Sequence, residues 1–147
     1  MTRLMPPYLS ATLACLIGLG LASCSQKNPA PESAADREVE SFLTDVDAAK
    51  AGELIAADKA VVVIDVRTPE EYADGHLAGA VNVNFKNENF KEELAKLDRD
   101  KTYVMHCRSG GRSTAAKPAF TELGFKYIYH LDGGYLAWEE AGQAIEK

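Results

Sequence analysis

Apolar residues fall along this chain in three patterns: one long N-terminal run, short β-branched runs, and stretches at helical spacing. From Glu38 to Ala57 the apolar positions recur at helical spacing, with Thr44, Asp45 and Asp47 as candidate N-caps. Ala60 to Val66 is a continuous β-branched run, the pattern of a strand buried on both faces. A shorter strand is expected over Ala80 to Val83. Phe90, Leu94 and Leu97 line one face of a predicted amphipathic helix from Phe90 to Leu97. Thr102 to Cys107 reads as a second buried strand. Helical spacing resumes from Arg112 to Leu123, closed by Gly124, with Pro118 inside it as a point of kinking or early break. Tyr127 to Leu131 is a further strand, and Tyr135 to Ala141 a final short helix ended by Gly142. Alternating helices and buried strands predict an α/β layered fold without internal repeats.

The N-terminal run differs in kind. Arg3 is the only charged residue before Lys27, and Tyr8 to Ala22 is apolar apart from Ser10, Thr12 and two glycines. A bilayer span needs roughly 20 apolar residues, so this run reads as a secretory signal instead. Its exit, Leu21-Ala22-Ser23-Cys24, resembles the bacterial lipobox, in which the cysteine is lipidated and the bond before it is cut. Residues 1–23 are therefore expected to be a lipoprotein signal peptide. Residues 24–37 would be the lipidated Cys24 and a flexible tether, rich in Pro, Ala and Ser. Residues 38–147 would form the folded domain. Ser25 is not the aspartate that marks inner-membrane retention in enteric lipoproteins, so a periplasm-facing outer-membrane lipoprotein is favoured. The competing expectation is a plain signal ending near Ala22 and a soluble periplasmic protein.

Composition narrows the function. The chain has 147 residues, 46% of them hydrophobic and 26% charged, with a net charge of −6. That acidity argues against a nucleic-acid groove, which needs clustered positive charge. Three cysteines, Cys15, Cys24 and Cys107, are too few and too scattered for a disulfide scaffold or a four-ligand zinc site. With Cys15 removed and Cys24 lipidated, Cys107 becomes the only thiol of the processed domain. An unpaired thiol in an oxidising compartment is either buried or functional.

Cys107-Arg108-Ser109-Gly110-Gly111-Arg112-Ser113 joins a predicted strand to a predicted helix. Two glycines let successive N–H groups turn inward, the helix N-terminus adds its positive dipole end, and two arginines add charge. Such a cradle stabilises an anion on or beside the sulfur and is expected to lower the thiol pKa. Thiol phosphatases place five residues between their cysteine and arginine. Here only four, Arg108 to Gly111, separate Cys107 from Arg112, a ring suited to a sulfur-sized anion. His106 precedes the cysteine, but adjacent strand residues point to opposite faces, so its ring is expected to face away. His76 and His130 are likewise expected to be packed side chains, and no histidine shows a metal-ligand spacing with Cys107.

Three stretches together resemble a single-domain rhodanese, the sulfurtransferase family. They are Asp65 to Tyr72 continuing through Gly75 to Asn82, the Cys107 to Ser113 loop, and Leu131-Asp132-Gly133-Gly134-Tyr135 followed by Trp138. The resemblance implies a rhodanese-like α/β fold: a five-stranded parallel sheet flanked by helices on both faces, with the active loop at the carboxyl ends of the strands. It implies that Cys107 is the nucleophile that becomes a persulfide. The N–H groups of Arg108, Ser109, Gly110, Gly111 and Arg112 would hold its outer sulfur, and Arg108 and Arg112 would bind an anionic donor such as thiosulfate. Ser113 belongs to the same loop. Asp65 and Arg67 resemble a structural pair beside it, the Asp132-Gly133-Gly134 turn is expected to be conformational, and Trp138 is expected in the core or at its rim. The acceptor would be a thiol, cyanide or a protein, the membrane would be reached only through the lipid anchor, and no cofactor or metal is implied. Alternatives are a non-catalytic sulfane-sulfur-binding or sensing module and, on the same fold, a phosphatase or arsenate reductase.

Overall fold

The computed structural model describes residues 42–147, so the expectations for the signal peptide, Cys24, the tether and residues 38–41 lie outside the described residues. In chain order the elements are β1 Phe42–Val46, α1 Ala48–Ala57, β2 Val62–Asp65, α2 Pro69–Ala73, β3 His76–Leu77, β4 Val81–Asn82 and α3 Phe90–Leu94. They continue with β5 Thr102–His106, α4 Gly111–Glu122, β6 Tyr127–Leu131, α5 Gly134–Glu140 and β7 Ile145–Glu146. Five strands pair in parallel in the order β1-β6-β5-β2-β4, and β3 pairs antiparallel with β7 in a separate two-stranded sheet.

Strand alternation sends side chains to two cores. Ile64, Tyr103, Met105 and Ile128 join Leu94 of α3 and Ala116, Ala119 and Phe120 of α4 on one face. Val63, Val104 and Leu131 join Ala48 and Ala51 of α1 and Trp138 of α5 on the other. Burial on both faces explains why β2 and β5 show no apolar–polar alternation. The expected five-stranded parallel sheet with helices on both sides is the observed architecture.

Phe42–Val46 is the edge strand β1, not the first part of a helix. It pairs with β6 from Phe42 opposite Tyr127 to Val46 opposite Leu131. Its mixed exposure, with one edge unpaired among the described residues, leaves an apolar spacing that helical periodicity also fits. Thr44 and Asp45 lie inside this strand, and only Asp47 caps α1, accepting from the Lys50 N–H at 2.7 Å. Helix α4 runs unbroken through Pro118, whose side chain is exposed. Helix α2 and the β3–β7 pair were absent from the sequence expectations. Pro69 opens α2, and Thr68 and Glu71 form a reciprocal capping box there.

Strands β2 and β5 are neighbours, but β2 leads on to β4 at one side and β5 to β6 at the other. Where connections diverge like this, a crevice opens beyond the carboxyl ends of the strands. Cys107 is the first residue beyond β5.

Candidate active site

The turn after β5 bends around the Cys107 sulfur. Gly110 adopts φ +94°, a conformation that favours glycine, and α4 begins one residue later. Its N–H lies 3.2 Å from Cys107 Sγ, and the Ser113 hydroxyl lies 3.3 Å from the same atom. The first-turn N–H groups of α4 have no acceptors within the helix and face the loop with the positive end of its dipole. Cys107 is 1% exposed. Burial pushes its thiol pKa up, but hydrogen bonds from the Ser113 hydroxyl and from the Ser113, Ser109 and Gly110 N–H groups outweigh it. The thiol lies below its ordinary value.

A second helix holds this loop from outside. The N–H groups of Tyr135 and Leu136 in α5 donate to the carbonyls of Cys107 at 2.8 Å and Arg108 at 3.0 Å. Gly134 makes the approach possible. A Cβ there would sit 2.5 Å from the Cys107 carbonyl oxygen, and its φ of +59° is itself left-handed. Beyond Tyr135, the Arg67 guanidinium lies 4.3 Å from the ring centroid. Arg67 and Asp65 form a buried pair, with Nη2 and Nε donating to Asp65 Oδ2 at 2.6 and 2.8 Å. Nη2 also donates to the Gly75 carbonyl at 2.7 Å, so the pair ties the ends of β2 and α2 together.

The two loop arginines differ. Arg112 grips Glu71 of α2 through two hydrogen bonds of 2.6 and 2.8 Å. The Arg112 guanidinium brings the Glu71 carboxyl down to about 2, against the opposing effect of burial. Arg108 is exposed and lines a cleft of about 290 Å³ together with Arg67, Glu71, Asp74, Tyr135 and Glu139. Ser109 is exposed and Gly110 buried. The arrangement presents a buried, hydrogen-bonded sulfur at a helix N-terminus beside a cleft of mixed charge.

Residues 47–141 match the family model described as the rhodanese-like domain. The chain belongs to that family. YtwF of Bacillus subtilis, which bears the provisional name of a sulfurtransferase, is 38% identical over 97 residues, covering 66% of this chain and 91% of that protein. Thiosulfate sulfurtransferase GlpE of Shewanella oneidensis is 39% identical over 83 residues, covering 56% of this chain and 80% of that one. A rhodanese-related protein of Thermoplasma volcanium has a crystal structure that superposes with a TM-score of 0.62 at 34% identity, covering 70% of this chain and 97% of that one. Relatives at this level support sulfur transfer as the general chemistry of the family.

In this rhodanese-like domain the histidines divide. His106 is fully buried, beside Asp65 at 3.7 Å, and its Nε2 has no hydrogen-bond partner among the described residues. Burial pushes its pKa below the ordinary value, against the attraction of Asp65. His76 stacks on Tyr72 at 3.8 Å. His130 is more than the packed strand residue expected: its Nε2 lies 2.8 Å from the Ser113 hydroxyl, one hydrogen bond away from the sulfur. Glu71 was likewise missed, although Thr68-Pro69-Glu70-Glu71 carries a legible capping box. Trp138 is buried in the core, where its Nε1–H donates to the Ala144 carbonyl at 2.9 Å.

Proposed function

We propose that the protein is a sulfurtransferase that carries a sulfane sulfur on Cys107, with thiosulfate or a related anion as donor. The Cys107 thiolate attacks the outer sulfur of thiosulfate. A new S–S bond forms, the original one breaks, and its electron pair leaves with sulfite. An acceptor thiol, cyanide or protein sulfur then takes the outer sulfur, and the electron pair of the breaking bond returns to Cys107. Arg108 serves the donor's negative charge, since Arg112 is already engaged by Glu71.

The observation that carries this reading is the hydrogen-bonded sulfur, 3.2 Å from the Gly110 N–H and 3.3 Å from the Ser113 hydroxyl, at the N-terminus of α4. Those donors stabilise a thiolate and, one bond further out, a persulfide. The four-residue spacing from Cys107 to Arg112 favours this chemistry over phosphoryl transfer, whose loops are one residue longer. Intact mass of the full chain after thiosulfate treatment provides the test. The expected result is a gain of one sulfur atom, removed by cyanide and missing in Cys107→Ser. A folded wild-type chain that gains no sulfur would reject the proposal.

A further inference from the structure

Beyond the thiol lies a continuous line of hydrogen bonds that runs out of the loop into the sheet. Cys107 Sγ is 3.3 Å from Ser113 Oγ, Ser113 Oγ is 2.8 Å from His130 Nε2, and His130 Nδ1 is 2.8 Å from Asp45 Oδ1. Three elements supply it: Ser113 comes from α4, His130 from β6, and Asp45 from the edge strand β1. Ser113 and His130 are buried, whereas the Asp45 side chain is 60% exposed, so the line runs from a dry sulfur to a wet carboxylate.

We propose that Ser113, His130 and Asp45 form a proton relay that sets the ionisation of Cys107, with His130 and Asp45 as positioning residues acting through Ser113. Ser113 has one hydroxyl hydrogen and three neighbours, Sγ, His130 Nε2 and the Gly110 carbonyl at 3.0 Å. It cannot serve them all at once. Asp45 decides the direction: its carboxylate accepts from Nδ1–H, which leaves Nε2 of a neutral His130 as an acceptor. In the thiol form, S–H donates to Oγ, and O–H donates to Nε2. Ionisation reverses the line. The S–H bond breaks as a new Oγ–H bond forms, the old Oγ–H bond breaks as Nε2–H forms, and the electron pair stays on sulfur. His130 is then an imidazolium, held by Asp45, and the Ser113 hydroxyl donates to the thiolate.

The charges around His130 suit this exchange. Asp45 faces it from β1, and Lys117 of α4 reaches the same Asp45 oxygen at 2.5 Å. Met105, its register partner on β5, is apolar. The ionised line holds Lys117 and His130 positive against Asp45 and Cys107 negative, two charges of each sign along one row. During sulfur discharge, a step that rests on the sulfurtransfer reading, the same Ser113 hydroxyl stabilises the electron pair returning to Sγ.

The test is a titration of thiolate ultraviolet absorbance on the full chain, taken as the difference from Cys107→Ser so that other cysteines cancel. His130→Gln is expected to cut the thiolate fraction about tenfold at a given pH on the acid side, a displacement of one unit in the profile. Ser113→Ala is expected to act in the same direction, Ser113→Thr to restore the wild-type profile, and Asp45→Asn to give a smaller displacement. Circular dichroism checks that each variant is folded; Asp45→Asn, at an exposed carboxylate, serves if His130→Gln does not fold. Superimposable profiles for folded variants and wild type would overturn the relay. The titration uses no sulfur donor, so it separates the two proposals. A displaced profile without sulfur uptake keeps the relay and rejects sulfur transfer, and uptake with an undisplaced profile does the reverse.

Discussion

Asp65 and Arg67 show how single side chains make the site rigid. Both are buried, and Arg67 spends its donors on Asp65 and on the Gly75 carbonyl. Removing one member leaves the other as an unpaired buried charge. Asp65→Ala is therefore expected to cost about 3–5 kcal/mol, read as a lowered denaturant midpoint, because desolvation of Arg67 is no longer offset. A loss below about 1 kcal/mol would mean that Arg67 swings out to water and that the pair does not brace the site. This pair was legible through the family resemblance, since Asp65 and Arg67 stand in its first matching stretch, and Cys107 and Ser113 were legible as the two ends of one seven-residue segment. The Glu71–Arg112 and Ser113–His130 contacts join residues 41 and 17 positions apart. No periodicity or local motif links such positions, so they emerged only from the fold.

Elements meet at the Cys107 loop, and the closest meeting is with α5. The carbonyls of Cys107 and Arg108 are fixed by two N–H groups of that helix, and Gly134 is where the backbones come within reach. Gly134→Ala puts a methyl 2.5 Å from a carbonyl at a left-handed φ, so α5 must withdraw or the loop must shift. The expected cost is about 1–3 kcal/mol in stability. Turnover is expected to fall further than that loss explains, since a displacement of about 1 Å at a reacting group can cost a hundredfold. Gly111→Ala provides the contrast: nothing lies within 4 Å of its added methyl, and its unfolding midpoint is expected to shift by less than about 0.5 kcal/mol. Equal midpoints for the two variants would refute this account of the α5 contact. The elements themselves were readable where burial was nearly complete, as in β2 and β5, and β1, whose burial is mixed, was misread. Edge strand β1 owes its state to pairing with β6, a tertiary fact, whereas the five-residue α2 carried a local signal in Thr68-Pro69 that its shortness obscured.

Across the whole molecule, acid acts on several groups with one sign. Glu71 ties α2 to α4 with its pKa lowered to about 2, and Asp45 joins β1 to α4 and β6 with its pKa also lowered, chiefly by hydrogen bonds from Lys117 and then His130. Each carboxylate stabilises the fold above its unfolded pKa, and this stabilisation is lost as pH falls toward the folded value. His106 reaches the same sign by another route. Burial lowers its pKa below 6.5, so as pH drops below that value the unfolded chain takes up a proton that the folded chain refuses. Stability is therefore expected to decline in two stages. The first begins near pH 6.5 and belongs to His106, and the second runs from about 4.5 toward 2 and belongs largely to Glu71. The Glu71 stage is worth about 1–2 kcal/mol once solvent screening of this partly exposed pair is allowed for. Urea midpoints measured at a series of pH values test the assignment by slope, not by absolute stability, which either substitution lowers on its own account. His106→Gln is expected to flatten the upper stage and keep the lower one, and Glu71→Gln to do the opposite. An upper slope unchanged in His106→Gln would move that proton uptake to another group and leave the buried, unpartnered Nε2 without a thermodynamic signature.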